Sequence, residues 1–424
     1  MKKLITILAL LGFAHSAFAD GAEFSHDGEF RLRYGNVKND NTNATDGFTE
    51  QRFKWGTTFR AGEKFTGRLS VNVNSDWGES TKASDQFATD TSDATLVVNE
   101  AWGAWMASDQ LMYRFGRGCF TLADGSVIGC NEWEPNQKAF DGGLITYDAE
   151  FVKTSFFGVQ GVEINNAGTL PDDDVFFLGV SFDFKTLPEF LKTANLHYLS
   201  VANQGYDYQN KKYDKNASGT QSRYGLTLGG DMVGVDYKLT YAAMSSSPDL
   251  SGAPKQSGSM IDAEVGYSMP DMRNFRVWFG YHTDSGDDSS TTDSEKYESF
   301  HENVHEYAGE MDIFGFGNLT YMNVGLALDL MENTNLKLAY YNFSATDKDG
   351  STDVNILSSF YSYSGLGTRQ SGQDALGTEI DLSVSHKYSD NFMITARYGQ
   401  FTPGDAYTIT DSISLFFLEG KMTF

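Results

Sequence analysis

Arginine residues recur on the polar side of a series of segments in which apolar and polar residues alternate. Arg31 and Arg33 belong to the first segment, and Arg52, Arg60 and Arg68 belong to the next two. A guanidinium group stays charged and offers a fork that matches a carboxylate. A ring of such groups around a narrow passage favours anions. The predicted passage-lining or solute-contacting residues are Arg31, Arg33, Arg52, Lys54, Arg60, Arg68, Glu100, Arg114, Arg117, Asp141, Arg276 and Arg397.

Acidic residues share this polar side and leave a second interpretation open. If they pair with the arginines, the lining is charge-balanced and has little preference for anions. The excess acid lies mostly in the connecting segments, so the net charge of -25 does not decide between the two interpretations. The available acids are Glu29, Asp76, Glu100, Asp141, Asp262, Glu264, Asp329, Glu379, Asp381 and Glu419.

Two short motifs match metal-binding patterns. The run from His301 to His305 reads H-E-x-x-H, but a zinc protease needs this run on a helix, together with a third ligand. No amphipathic helix surrounds it, so we expect a loop and predict that the chain is not an enzyme. Asp347, Asp349 and Asp353 resemble part of a Ca²⁺ loop, in which oxygen ligands alternate. A solvated acidic loop tip is the default interpretation there, with Ca²⁺ as the alternative and no other cofactor expected.

Composition excludes several classes of protein. The 424 residues include 57 Asp and Glu against 32 Lys and Arg, with 14% aromatic residues and 43 glycines. Disordered acidic chains are poor in aromatic residues. A nucleic-acid binder would show a positive footprint, which is absent. Beyond residue 19 no run of about 20 apolar residues suits a spanning helix.

The first 19 residues have the pattern of an export signal. Lys2 and Lys3 precede a short apolar stretch, and Ala17-Phe18-Ala19 fits a cleavage site. We therefore predict a signal peptide over 1–19 and one folded domain over 20–424. Outside the cytoplasm, Cys119 and Cys130 are predicted to form a disulfide across a loop.

The mature chain alternates apolar and polar residues with a period of two. Phe30, Leu32 and Tyr34 oppose Arg31 and Arg33, and this pattern recurs to the end of the chain. Such segments are strands with one apolar and one polar face. About 18 strands can be counted, joined by connections that are short and long in turn. This layout is typical of an all-β transmembrane antiparallel barrel with short periplasmic turns and long extracellular loops.

A soluble β-sandwich or propeller is the alternative fold. A propeller needs a repeat of roughly 40 residues, and no such repeat is present. The export signal, the alternating loop lengths and the terminal Phe424 favour the barrel. A final aromatic residue on an amphipathic strand is typical of outer-membrane proteins recognised by the barrel-assembly machinery. We therefore predict the outer membrane of a Gram-negative bacterium, with lipid and lipopolysaccharide around the barrel.

Two stretches resemble the alginate export family of bacterial outer-membrane porins. The first holds Asn99-Glu100-Ala101, Tyr113-Arg114-Phe115-Gly116-Arg117 and Phe140-Asp141-Gly142, and the second holds Phe300, His305, Gly309, Asp312 and Asn318-Leu319. The resemblance implies an 18-stranded monomeric barrel with an arginine-lined conduit for a polyuronate. It would place Arg114, Arg117 and Asp141 at that conduit.

These observations predict a passive channel for anionic solutes. Export of an acidic exopolysaccharide such as alginate is the most specific version of the prediction. The alternative is a general or sugar-uptake porin with a charge-balanced lumen. The expected partners are membrane lipid, lipopolysaccharide, small anions or anionic saccharides and the barrel-assembly machinery, but no nucleic acid.

Overall fold

The computed structural model describes residues 22–41, 44–77, 95–162, 175–203, 206–207, 212–213, 219–247, 255–288, 290–298, 300–350, 366 and 369–424. The predicted signal peptide over 1–19 lies outside these residues, so it and the domain boundary at residue 20 stay predictions. Within the described part of the chain, no helix is long and apolar enough to cross a membrane.

Twenty strands account for most of the described chain. The first ten are β1 (Ala22–Asn39), β2 (Ala44–Ala61), β3 (Phe65–Asp76), β4 (Thr95–Met106), β5 (Leu111–Gly118), β6 (Phe140–Asp148), β7 (Val152–Val162), β8 (Val175–Phe184), β9 (Thr193–Asn203) and β10 (Tyr206–Asp207). The others are β11 (Lys212–Tyr213), β12 (Gly219–Met232), β13 (Val235–Ser247), β14 (Ser257–Met269), β15 (Phe275–Asp284), β16 (Leu319–Met331), β17 (Thr334–Ala345), β18 (Ala375–Ser389), β19 (Phe392–Pro403) and β20 (Ile413–Thr423).

Eighteen of these strands form one closed antiparallel barrel. Each strand pairs with the next along the chain, and β9 pairs with β12 because β10 and β11 form a separate hairpin. β1 pairs with both β2 and β20, which closes the sheet. Closure leaves no unpaired sheet edge in the bilayer, where unpaired backbone groups are costly. The predicted fold class and strand count are therefore confirmed.

The two ends of the barrel differ in the length of their connections. At one end the turns are short, as at 62–64, 233–234, 332–333 and 390–391. Connections at the opposite end reach from 285 to 318 and from 346 to 374. β1 begins and β20 ends at the short-turn end, which is the periplasmic end in outer-membrane barrels.

Side-chain alternation gives the barrel an apolar outside and a polar inside. Phe53, Val265 and Leu418 point outward and are 42%, 46% and 44% exposed. Inward-pointing Arg52 and Glu419 lie on the same strands as two of these residues and are buried. The outward band therefore faces lipid, and the inward groups line the lumen.

The C-terminal residue closes the seam between the first and last strands. Phe424 exchanges backbone hydrogen bonds with Gly28, at 2.9 and 3.1 Å. Its ring stacks on Phe53 with centroids 6.1 Å apart. Residue 28 must be glycine, because a Cβ atom there would lie 2.3 Å from the Phe424 ring.

Two long connections fold back into the lumen. We call residues 119–139 inner loop A and residues 285–318 inner loop B. Ile128 of inner loop A packs in a buried cluster with Phe177 and Leu199 of the wall. Phe314 of inner loop B packs in a second cluster with Phe401. The barrel therefore contains a hydrophobic core, which strand alternation alone does not predict.

Candidate functional site

The two inner loops form a single folded unit inside the barrel. Ile128 and His301 make a parallel β-bridge between the loops. The Gly129 amide donates to the His301 carbonyl at 2.8 Å, and the Asn303 amide donates to the Gly125 carbonyl at 2.9 Å. Because these bonds join the loop backbones, the loops obstruct the lumen together.

A disulfide closes the first part of inner loop A. Cys119 and Cys130 are bonded, with their Cα atoms 5.6 Å apart. The enclosed residues include a 3₁₀ turn over Ala123–Gly125. The cross-link fixes both ends of the segment that packs against inner loop B.

Arginines of the first two strands hold inner loop A against the wall. Arg31 donates to the carbonyl of Glu132 at 3.0 Å and to that of Trp133 at 3.1 Å. Arg33 donates to the Trp133 carbonyl at 2.8 Å, and Arg52 donates to the Glu132 carbonyl at 2.9 Å. These guanidinium groups therefore satisfy backbone acceptors in a loop that has no regular secondary structure there.

The same three arginines are also paired with buried acids. The ion pairs are Arg31–Glu50 at 3.0 Å, Arg33–Glu419 at 2.7 Å and Arg52–Glu29 at 2.5 Å. The arginine side chains are only 2–3% exposed. Inner loop A and the acids occupy the donors of these arginines, and their role as solute contacts stays a prediction.

The Trp133 ring of inner loop A packs against the side chains of Arg33 and His305. The Arg33 guanidinium lies 3.7 Å from one ring centroid of Trp133, and the His305 ring stacks on Trp133 at 3.6 Å. His305 lies 3.0 Å from Asp312, while Glu310 lies 3.1 Å from Arg397. These contacts connect both inner loops to β1 and β19.

Other predicted cations of the first strands also have acidic partners. Lys54 lies 3.3 Å from Glu132 of inner loop A. Arg68 lies 2.7 Å from Asp27 and 2.6 Å from Glu100. Arg60 differs from these, because its side chain is exposed near the periplasmic turn at 62–64.

Arg114 and Arg117 lie on opposite faces of β5. Arg114 faces inward, 5.5 Å from the Trp102 ring and 4.8 Å from the Phe120 ring of inner loop A. Arg117 has the parity of Phe115, which is 64% exposed on the outer face. It pairs with Asp141 at 2.6 Å on that same outer side. These positions differ from the lumenal ones expected from the sequence, because Arg117 precedes inward-facing Gly118 and Asp141 follows buried Phe140.

A cavity of about 310 Å³ lies between inner loop B and the wall formed by β14 to β17. Arg276, predicted from the sequence, lies on this wall and is held by Asp236 at 2.5 Å and Glu264 at 2.7 Å. Aromatic side chains supply the apolar part of the lining, which includes Trp278, Tyr307, Tyr321 and Tyr341.

Lys337 is a second cation of this cavity. It forms no ion pair with any described residue, and its ammonium lies 5.7 Å from the Trp278 ring centroid. The buried side-chain oxygen of Asn323 lines the same cavity and accepts no hydrogen bond. Glu306 of inner loop B also lines the cavity, and its carboxylate accepts from Asn303 at 3.2 Å. The sequence places Lys337 on the polar face of its strand, but it does not show which cations of that face have acidic partners.

A second cavity of about 300 Å³ lies against β9, β12 and β13. Lys238 on its wall lies 3.4 Å from Asp124 of inner loop A and 5.1 Å from the Tyr307 ring. The Tyr307 hydroxyl donates to the Asp124 carbonyl at 2.7 Å. Both cavities therefore lie where the inner loops meet the wall.

The two metal-binding motifs do not assemble ligands in the described residues. His301 lies among aromatic rings, and His305 contacts acids and Trp133. No group of three potential metal ligands occurs in the described part of the chain. Of the predicted Ca²⁺ ligands, Asp347 and Asp349 are described and Asp353 is not, so that site stays a prediction.

Comparisons with known proteins agree with this architecture. The alginate export family model matches residues 24–415. Similar solved structures include OccAB1 of Acinetobacter baumannii, with a TM-score of 0.62, 11% identity, and coverage of 95% of this chain and 96% of that chain. OpdL of Pseudomonas aeruginosa has a TM-score of 0.61, 10% identity and coverage of 95% and 99%. OccK8 (OprE) of the same organism has a TM-score of 0.59, 13% identity and coverage of 95% and 98%. No curated protein sequence matches the chain.

Proposed function

This chain belongs to the alginate export family, and from that premise we propose that it passes acidic saccharides through several weak lumenal sites. The barrel is an outer-membrane channel of a Gram-negative bacterium. Conduction through such a lumen needs sites that bind a solute briefly and release it. The proposed solute class is a sugar that carries a carboxylate, such as a uronate.

The observation that carries the proposal is the unpaired ammonium of Lys337 in the cavity of about 310 Å³. The Lys337 ammonium interacts electrostatically with the Glu310 and Asp381 carboxylates but forms no ion pair with a described residue, so its donors are available to a solute carboxylate. The Trp278 and Tyr307 rings border the same space. These groups together suit a ring that bears both hydroxyl and carboxylate groups.

The paired arginines favour a second candidate function. Because Arg31, Arg33, Arg52 and Arg276 are engaged by acids, they add little net positive potential to the lumen. A general or sugar-uptake porin would have such a balanced lining. In that case neutral sugars and uronates would pass at similar rates.

A planar bilayer experiment separates the two functions. We would measure the reversal potential of the refolded protein in a salt gradient and then add an oligouronate or a neutral oligosaccharide of equal length. The proposal predicts anion preference and block by the oligouronate alone. Equal effects of both oligosaccharides, without ion preference, would favour the general porin.

The surroundings of the barrel are proposed on the same basis. The outward apolar band fits outer-membrane lipid and lipopolysaccharide. Phe424 at the end of β20 is the residue that we propose the barrel-assembly machinery recognises. The solute partner is the acidic saccharide described above.

A further inference from the structure

A buried histidine joins two carboxylates at the base of inner loop B. Nδ1 of His282 lies 3.1 Å from Asp262 of β14, and Nε2 lies 3.2 Å from Asp284, the last residue of β15. The ring packs against Phe316 and Tyr321, with ring centroids 4.4 and 4.8 Å away, and its side chain is 0% exposed. Three ionisable groups therefore meet at a site with almost no access to water.

Asp284 ties together the two ends of inner loop B. It immediately precedes the loop, and its carboxylate accepts from the amides of Gly317 at 2.9 Å and Leu319 at 2.5 Å at the far end of the loop. Between these amides the chain turns into β16, with φ of +135° at Gly317 and +61° at Asn318. The loop therefore depends on one buried carboxylate to keep its two ends together.

The hydrogen bonds define the charge of this cluster. Asp284 accepts from two amides and from the His282 ring, and Asp262 accepts from the same ring and from the Tyr321 hydroxyl at 3.2 Å. A carboxylate that only accepts is ionised, and an imidazole that donates from both nitrogens is an imidazolium. Without the ring proton, the two buried negative charges would have no compensating cation, which is strongly destabilising.

The elements packed around the ring supply further titratable groups. These groups are Asp262 of β14, Asp284 of β15, Tyr321 of β16, Tyr341 of β17 and Tyr307 of inner loop B. Of these five, only the two carboxylates are charged at neutral pH. The Asp262 side chain is 12% exposed and lines the cavity of about 310 Å³, so protons can reach the cluster from the lumen.

We propose that His282 is a positioning residue that holds inner loop B in the lumen while its ring is protonated, and that loss of this proton releases the loop. Above about pH 6.5 an accessible imidazole is neutral, so release there gives up a proton and is favoured as the pH rises. Below that pH the ring is protonated in both states, and the latched state keeps its full stability. This inference requires that the barrel is a channel, but it does not depend on the solute.

Labelling of a buried thiol reports the release of inner loop B. Ala308→Cys places the thiol in this loop at a side chain that is 0% exposed, and the native cysteines stay in their disulfide. The rate with a small methanethiosulfonate reagent is divided at each pH by the rate in unfolded protein, which removes the titration of the thiol itself. We expect this ratio, and the open probability of single channels, to rise as the pH is raised from 7 to 9.5.

Two variants in the Ala308→Cys background separate the charge of the ring from its shape. His282→Gln leaves two buried carboxylates without a cation, so it should shift the ratio of latched to released loops at least about a hundredfold toward release at pH 7. His282→Gln with Asp262→Asn keeps the net charge of the cluster unchanged and has no imidazole there. This double variant should stay latched from pH 7 to 9.5.

His386→Gln is the matched control for loss of a histidine elsewhere in the wall. Its ring lies 2.8 Å from the Thr334 hydroxyl near the periplasmic turn at 390–391, so this variant should follow the wild-type pH profile. Heat-dependent gel mobility checks the folding of each variant.

Three results would overturn the proposal. The first is a wild-type labelling ratio that does not change between pH 7 and 9.5. The second is a folded His282→Gln protein that is labelled at the wild-type rate at pH 7. The third is a double variant that keeps the pH-dependent rise, and this result decides the question even if His282→Gln alone does not fold.

Discussion

His301 couples the folding of the inner loops to pH through the burial of one ring. Its ring centroid lies 5.2 Å from that of Phe140 and 4.5 Å from that of Phe300. Burial, with smaller effects from the positive charges of Lys138 and Arg223, lowers the pKa of His301 from 6.5 to about 4. The ring is therefore neutral in the folded loop at pH 7 and down to about pH 4.

The expected consequence is a loss of inner-loop stability in acid. Between pH 6.5 and about 4 the unfolded loop binds a proton that the folded loop excludes, so the free energy of unfolding falls as the pH falls. Above pH 6.5 the contribution is fully present. Proteolysis of the inner loops in folded barrels should therefore accelerate from pH 7 to pH 4.5.

His301→Phe keeps an aromatic ring in the same surroundings but cannot be protonated. We expect this variant to lose most of the acid-induced increase in cleavage. If it retained the full increase, His301 would not be the group responsible. The outward-facing variant Val324→Phe would serve as the control for an unrelated aromatic substitution.

At the scale of elements, inner loop A depends on its arginine anchors. Removing Arg31 and Arg33 together would leave the buried carboxylates of Glu50 and Glu419 unpaired, and each uncompensated charge costs about 3–5 kcal/mol. The backbone carbonyls of Glu132 and Trp133 would also lose the hydrogen bonds that these arginines donate. We expect Arg31→Ala with Arg33→Ala to lower the thermal stability and to raise single-channel conductance as the loop leaves the wall.

Two further variants make this prediction specific. Lys421→Ala removes a more exposed lumenal cation, 3.2 Å from Glu29, and should change conductance little. Arg33→Met with Glu419→Leu removes both charges of one pair, so it should fold well while removing one of the two donors to the Trp133 carbonyl. Unchanged conductance in folded Arg31→Ala with Arg33→Ala, which removes both donors, would show that inner loop A does not obstruct the passage.

The strands could be predicted from the sequence, but the inner loops could not. The alternation of apolar and polar residues along β1 to β3 predicts strands, because one face of each strand meets lipid and the other meets the lumen. Inner loop A contains Phe120 and Ile128, whose burial depends on wall residues far away in the chain. Arg114 and Arg117 belong to one family motif, and for that reason both were expected at the conduit. Their side chains nevertheless point to opposite faces of β5. Ion pairs such as Arg33–Glu419 join the first and last strands, so local sequence gives no sign of them.

At the scale of the whole molecule, the barrel separates three environments. The outward band faces lipid, the anchoring arginines lie in a buried layer between wall and loops, and two cavities lie where the loops meet the wall. Among the described residues, most lumenal charges form ion pairs that hold the inner loops against the wall. We therefore expect selectivity to depend on the few lumenal groups of this part of the chain that form no ion pair, and the net charge of the chain to have little influence on it.

The most direct test of this account is oligouronate block of single channels formed by wild type and by Lys337→Gln. Loss of a charge-assisted hydrogen bond is worth about 1.5–3 kcal/mol, so block by the uronate should weaken at least about tenfold. Lys337→Arg should retain block, and Glu306→Gln should strengthen it by removing a nearby negative charge. Block of equal strength in wild type and Lys337→Gln would contradict the account.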